Sequence, residues 1–426
     1  MTERLLQYIW QFQYFNRKEL QLSTGESLQI IHPGQWNVHQ GPDFLQAIIK
    51  IDQTKWIGNV ELHVQTSDWF RHLHQYDKNY NSVILHVVWN HDTDTDSDSC
   101  KSNIPLLSLQ DKVSKMLLSQ YEDWMMKPFF IPCEHNIATV NSIIWVGWKE
   151  RLLAERLQRK TATIETYLGQ SNHHWEEVFW WLLARNFGIK VNAEAFETVA
   201  RSLPVNILVR HKNQINQLEA LLLGQAGLLE KKFEEKYPQM LQREYNYYKK
   251  KYKLNMIHEP VHFLRMRPEN FPTIRLAQLA MLIHHSSHLF SRILETVAIS
   301  DIKKLMDVTA NDYWHYHYTA DETSSFKPKK LGEQMVNNII INTIIPVVFA
   351  FGHVQVRNYF KEKAIKWLEE ISAEKNSITD RFTQLGITSK TAFDSQSILE
   401  LKDVYCDKRR CLDCAIGNSI LKRNSL

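Results

Sequence analysis

The first apolar residues, Leu5, Leu6, Ile9, Trp10 and Phe12, recur every three or four positions and predict a helix over residues 3–15. Leu28 to Ile31 reads as a short strand, ended by His32-Pro33-Gly34. Two further strands follow, Phe44 to Ile51 and Trp56 to Val64. Asp52-Gln53-Thr54-Lys55 joins them with a hairpin-length connection, so they should lie side by side. Ser67-Asp68 offers an N-cap for a short helix from Trp69 to Tyr76, which Asn79-Tyr80-Asn81 breaks. Val83 to Trp89 is strongly apolar, as a central strand is. The order is helix, three strands, helix, strand. Ile104 to Leu109 adds one more strand and Lys112 to Met126 a helix, before Pro128 and Pro132 mark a boundary.

Beyond residue 140 the pattern turns helical. Helices are expected over Trp175 to Asn186, with Phe187-Gly188 as the stop, and over Ile215 to Leu223. Others fit Tyr237 to Tyr252, a helix that Asn270-Phe271-Pro272-Thr273 introduces and that runs through about His285 with a continuation or restart towards Val297, Gln334 to Phe351, and Val356 to Ser372. The expected class is α+β: an α/β domain with a mixed sheet in residues 1–130, and a larger all-α domain in residues 131–426.

A length of 426 residues fits two or three domains, each able to bury its own core. A hydrophobic content of 44% and a charged content of 23% are those of a globular protein. The run Ile339 to Phe351 holds Asn342 and Pro346 and is too short to cross a bilayer, and the N-terminus lacks a signal-peptide core. A cytoplasmic protein without a membrane partner is expected. The net charge of +4 permits a nucleic-acid partner without demanding one.

The chemistry concentrates in Gly41-Pro42-Asp43-Phe44 and Gly58-Asn59-Val60-Glu61-Leu62-His63-Val64. Glu61 and His63, two apart on one strand, share a face, and Asp43 enters the neighbouring strand. Two close carboxylates can hold magnesium or manganese, which polarises a phosphodiester and activates water, and His63 can orient or deprotonate that water. The bland alternative is the polar side of a half-buried hairpin. His72 and His74 would point to different faces of a helix, and His86 reads as a core histidine. The acidic loop Asp92 to Asp98 lacks the glycine turn and distal glutamate of a calcium site.

These residues resemble the PD-(D/E)xK nuclease superfamily, whose core is a helix, three strands, a helix and a strand. Pro42-Asp43 matches the first acid and Glu61 the second, and His63 stands where lysine is usual. The resemblance covers about the first 110 residues and implies a restriction-endonuclease-like core. Its glutamine–tyrosine motif, found in RecB-type members, is not visible. Over nearly its whole length the chain resembles a bacterial family, domain of unknown function 2851. That likeness rests on Ile31-His32-Pro33-Gly34, Gly41-Pro42-Asp43-Phe44, Gly58 to His63, Ser67-Asp68-Trp69, Arg265-Met266-Arg267-Pro268, Asn270-Phe271-Pro272 and the terminal cysteines. It carries no activity with it, so function must be read from the sites.

Cys406, Cys411 and Cys414 are spaced C-x4-C-x2-C, and the last pair suits a metal knuckle. Cys133 is the best fourth ligand and His135 the second; Cys100 is expected to be free. Zinc and a four-iron cluster are both open, the latter because some RecB-type nucleases clamp the domain with one distant cysteine and three C-terminal ones. Arg265, Arg267 and Arg275 near a helix start suit a nucleic-acid backbone, or pair with carboxylates. Tyr245, Tyr247 and Tyr248 with Lys249 to Lys251 suit single-strand stacking or an ordinary amphipathic helix. The leading expectation is a nuclease-like phosphodiester hydrolase. The alternatives are a nucleic-acid-binding or scaffolding protein that keeps the fold, and a hydrolase of another substrate.

Overall fold

The computed structural model describes residues 1–37, 39–92, 104–255, 257, 259–286 and 288–423. They form two units, Met1–Trp148 with Leu401–Leu426, and Lys149–Glu400. The division expected at residue 130 thus falls at Trp148, and the C-terminal cysteines belong with the sheet instead of the helical part. Side chains explain this placement. Arg409 donates to the carbonyls of Trp124 and, at 3.1 Å, Lys127. Arg423 donates to the hydroxyl and carbonyl of Thr139 at 3.0 and 2.8 Å. Arg4 pairs with Asp413 at 2.6 Å.

The first unit opens with α1 (Glu3–Phe12), capped by Thr2, whose hydroxyl accepts from the Leu5 N–H. It stops three residues short of the expected end because Gln13 turns left-handed at φ 56°. Trp10 is fully buried and donates to the Pro33 carbonyl at 3.0 Å. The sheet contains β1 (Leu28–His32), β2 (Gln35–Trp36), β3 (Phe44–Ile51), β4 (Thr54–Gln65), β5 (Val83–Asn90) and β6 (Leu106–Ser108). Its order is β1-β3-β4-β5-β6, with β2 beside β3. The β1, β3 and β4 ladders are antiparallel, whereas β4-β5 and β5-β6 are parallel. The expected helix–strand–strand–strand–helix–strand order is present, and α3 (Lys115–Met126) follows.

The second helix departs from expectation. α2 spans only Asp68–Arg71, and short 3₁₀ turns at His74–Tyr76 and Lys78–Tyr80 replace the rest. Leu73 takes a left-handed conformation, φ 61°, which a helix interior does not tolerate. Ser67 does not cap α2; its N–H and hydroxyl bind Asp92 at 3.0 and 2.7 Å. The acidic loop beyond Asp92, and Cys100 within it, lie outside the described residues.

The boundary between the units falls within α4 (Ser142–Gln170). The second unit then runs through α5 (Trp175–Phe187), α6 (Ile189–Ser202), α7 (Val205–His211), α8 (Ile215–Gln225), α9 (Lys236–Tyr252) and α10 (Pro272–His285), with shorter helices beyond. Trp180 and Trp181 are core residues, and the Trp180 indole donates to the Ala200 and Leu203 carbonyls at 3.0 Å. The apolar run is longer than its sequence suggested. Helical structure extends over the 22 residues Glu333–Val354, enough to cross a membrane by length and composition. Of its most apolar window, 72% is buried inside the fold, so this run serves as a core element.

Candidate metal centre

β4 is buried on both faces along Val60–His63, so Glu61 and His63 stand inside the unit, 4% and 1% exposed. Gly58 lets β4 approach its neighbour: a methyl group there would meet Ile84 Cγ2 at 2.4 Å and the Ser82 carbonyl at 2.7 Å. Asp43, at the mouth of β3, reaches β4. Its backbone N–H donates to Glu61 Oε2 at 2.9 Å, and its own Oδ2 accepts from the Leu62 N–H at 3.0 Å. Gln7 of α1 donates to the other oxygen, Oδ1, at 2.8 Å. The expected meeting of Asp43, Glu61 and His63 therefore occurs, but Asp43 spends both oxygens on protein donors. Burial raises both carboxyl groups above the ordinary range, and repulsion from Asp43 adds to the effect at Glu61.

The free oxygen of Glu61, Oε1, faces imidazoles instead. It lies 3.7 Å from His63 Nε2 and 3.5 Å from His74 Nε2. His72 Nδ1 approaches His63 Nε2 to 3.2 Å. One ligand nitrogen from each of His63, His72 and His74 lies within 4.8 Å of the other two. This corrects the reading that His72 and His74 diverge. They would do so on a helix, but α2 ends at Arg71 and the left-handed Leu73 swings both rings to one side. No glycine or proline marks that stop, so the sequence carried no signal for it.

Aromatic residues enclose the group. Tyr80 stacks on His74 with ring centroids 3.8 Å apart, and Trp69 packs edge-on against His63. His86, opposite Glu61 on β5, is the expected core histidine, 1% exposed, and its Nε2 lies 2.9 Å from His63 Nδ1. Burial first, and neighbouring imidazoles second, lower His63 to about 2 and His86 to about 3. Burial also lowers His74. Neutral imidazole is the metal-binding form. A buried ring nitrogen, His74 Nε2, has no hydrogen-bond partner. The orphaned nitrogen, the clustered imidazoles and the adjacent carboxylate fit a first-row transition metal better than magnesium, which prefers an all-oxygen shell.

The other expected sites separate. Cys133, Cys406, Cys411 and Cys414 are all free and lie in the first unit. The arginines do not form one surface. Arg265 and Arg267 are exposed, whereas Arg275 is 7% exposed and donates to Asn270 at 2.6 Å and Gln278 at 2.9 Å. Burial lowers Arg275 to about 10. It pairs with amides, where carboxylates were the expected alternative to phosphate. On α9, Tyr245 and Tyr248 face inward and Tyr247 outward, the pattern of an amphipathic helix.

A family model described as "Protein of unknown function (DUF2851)" matches residues 3–377. The chain belongs to that family. No curated protein and no solved structure matches it. Membership covers the sheet, the histidine group and most of the helical unit, and it ends before the three C-terminal cysteines.

Proposed function

We propose that this protein is a metal-dependent hydrolase acting on phosphodiester bonds of nucleic acid. The observation that carries the reading is the convergence of His63, His72 and His74 beside Glu61 Oε1. Manganese or zinc held there would supply Lewis acidity and an activated water. His63, His72, His74 and Glu61 are the holding residues. Asp43 is a positioning residue, because its hydrogen bonds to the backbone of β4 and to Gln7 fix the carboxylate of Glu61 and the strand that bears it. Tyr80 and Trp69 exclude water from one side of the imidazoles.

The substrate class is supported by the order of elements and by the Asp43–Glu61 placement, both of which resemble the PD-(D/E)xK pattern. His63, in the usual lysine position, is engaged with other histidines here and is neutral, so it does not supply a lysine's fixed cation. The free thiols agree with a cytoplasmic setting, which forms part of the proposal.

The test is cleavage of labelled single- and double-stranded DNA and RNA by the full chain with manganese or zinc. Glu61→Gln and His74→Ala should each remove cleavage, and Asp43→Asn should reduce it. Cleavage that survives both Glu61→Gln and His74→Ala would sink the assignment. Metal-independent binding without cleavage would instead favour a nucleic-acid-binding protein that keeps the fold.

A further inference from the structure

Cys133 and a distant trio, Cys406, Cys411 and Cys414, fall in the same first unit. Cys133 lies in the turn after α3, where its carbonyl accepts from the N–H groups of Asn136 and Ile137 at 2.9 Å. Cys406 closes the wide helical turn Leu401–Cys406, Cys411 opens the 3₁₀ turn Cys411–Asp413, and Cys414 precedes the helix Ala415–Arg423. Cys133, Cys411 and Cys414 are 7%, 7% and 6% exposed. Arg409 and Arg423 fasten this segment on either side of Cys133, at Trp124, Lys127 and Thr139. Cys406 has the other three sulfurs within electrostatic range, and Cys133 has those of Cys411 and Cys414, so the four are neighbours.

The surroundings suit thiolates. The backbone N–H groups of Gly417 and Ile416, at the start of the last helix, lie beside the Cys414 sulfur. Backbone N–H groups beside a sulfur serve a thiolate better than a thiol, which is a weak acceptor. The close packing is specific: a methyl group on Gly417 would meet the Cys411 carbonyl at 2.3 Å. Lys402 and Arg409 lie near enough to favour the charged forms of Cys406 and Cys411.

We propose that Cys133, Cys406, Cys411 and Cys414 together hold one thiophilic metal centre, which staples the C-terminal segment onto residues 124–148 of the same unit. The chemistry shared by its two sources, a single zinc and an iron–sulfur cluster, is four-thiolate ligation.

The experiment uses full-length protein purified without oxygen, with iron, acid-labile sulfide and zinc counted per chain and the mass of the bound centre read by native mass spectrometry. Iron with sulfide and a broad visible band establishes a cluster; one zinc and no visible band establishes the mononuclear form. In either case Cys133→Ser and Cys411→Ser should each lose the centre, while Cys100→Ser and the double variant His63→Ala/His74→Ala keep it. Removing the centre from the unaltered protein should also open the Lys408-Arg409-Arg410 segment to trypsin. A wild-type chain free of zinc, iron and sulfide overturns the proposal. So does a centre retained by both Cys133→Ser and Cys411→Ser.

Discussion

His63 and His86 lie on adjacent parallel strands with Nδ1 and Nε2 2.9 Å apart. With the proton on His63 Nδ1, His86 Nε2 accepts it and His63 Nε2 keeps a lone pair facing His72 and Glu61 Oε1. In that tautomer His86 is an orienting partner for a metal ligand, without itself belonging to the clustered trio. His86→Leu is closer to histidine in volume than phenylalanine is and removes the ring nitrogen that faces His63. Manganese or zinc affinity, measured by titration calorimetry, should fall by about 10- to 100-fold, the usual effect of losing such a partner. Unchanged affinity would show that His86 is only core filling.

The trio itself makes a separate prediction. His72 is exposed and His74 half-buried, yet both should matter to the metal. His72→Ala and His74→Ala should each weaken binding at least as much as His86→Leu. Stability should change little in His72→Ala, because an exposed ring contributes little to the core. Thermal melts without added metal, set beside the binding titrations, separate the two effects.

Gly58 lies on β4 against Ser82 and Ile84. Its substitution by alanine places a methyl group 2.4 Å from Ile84 Cγ2 and 2.7 Å from the Ser82 carbonyl. Overpacking of this kind costs about 1–3 kcal/mol, more when backbone must yield. Denaturant unfolding of Gly58→Ala should show at least that loss. Because Glu61 and His63 ride on the same strand, metal affinity should fall with it.

Glu219 of α8 is completely buried in the helical unit. It accepts from the Tyr237 hydroxyl and the Trp314 indole, each at 2.9 Å. Burial raises its pKa from 4.5 to about 7, against the smaller opposing effect of those donors. Folding therefore favours the protonated form. The native state binds the proton between pH 4.5 and about 7 and the unfolded state does not, so stability is full below 4.5 and declines until about 7. The decline amounts to about 3–4 kcal/mol at most, from about 1.4 kcal/mol per unit. Glu219→Gln should remove this slope, as chemical denaturation from pH 4.5 to 8 would reveal; an unaltered slope would refute the assignment.

Arg275 and its two exposed neighbours should separate in the same way. Arg275→Ala deprives Asn270 and Gln278 of their donors and should lower stability by about 2–3 kcal/mol. Arg265→Ala and Arg267→Ala should leave stability within about 0.5 kcal/mol. If nucleic acid binds this unit through its arginines, salt-dependent binding should fall in the exposed variants. Loss confined to Arg275→Ala would mark a folding effect.

The sequence by itself determined the order of elements in the first unit, since alternation in β3 and β4, the apolar run of β5 and the helical spacing of α1 are local signals. It also placed Asp43, Glu61 and His63 together, because a hairpin connection fixes which strands are neighbours. The tertiary structure decided what that local pattern could not. Leu73 turns left-handed with no glycine or proline to announce it, and this turn brings His72 and His74 to the same side. The backbone of β4 and Gln7 occupy both oxygens of Asp43, leaving Glu61 to face the imidazoles. Cys133 meets Cys406, Cys411 and Cys414 because long-range hydrogen bonds return the chain's end to the sheet unit. Periodicity and spacing report the nearest few residues, whereas these arrangements depend on contacts between segments up to hundreds of residues apart.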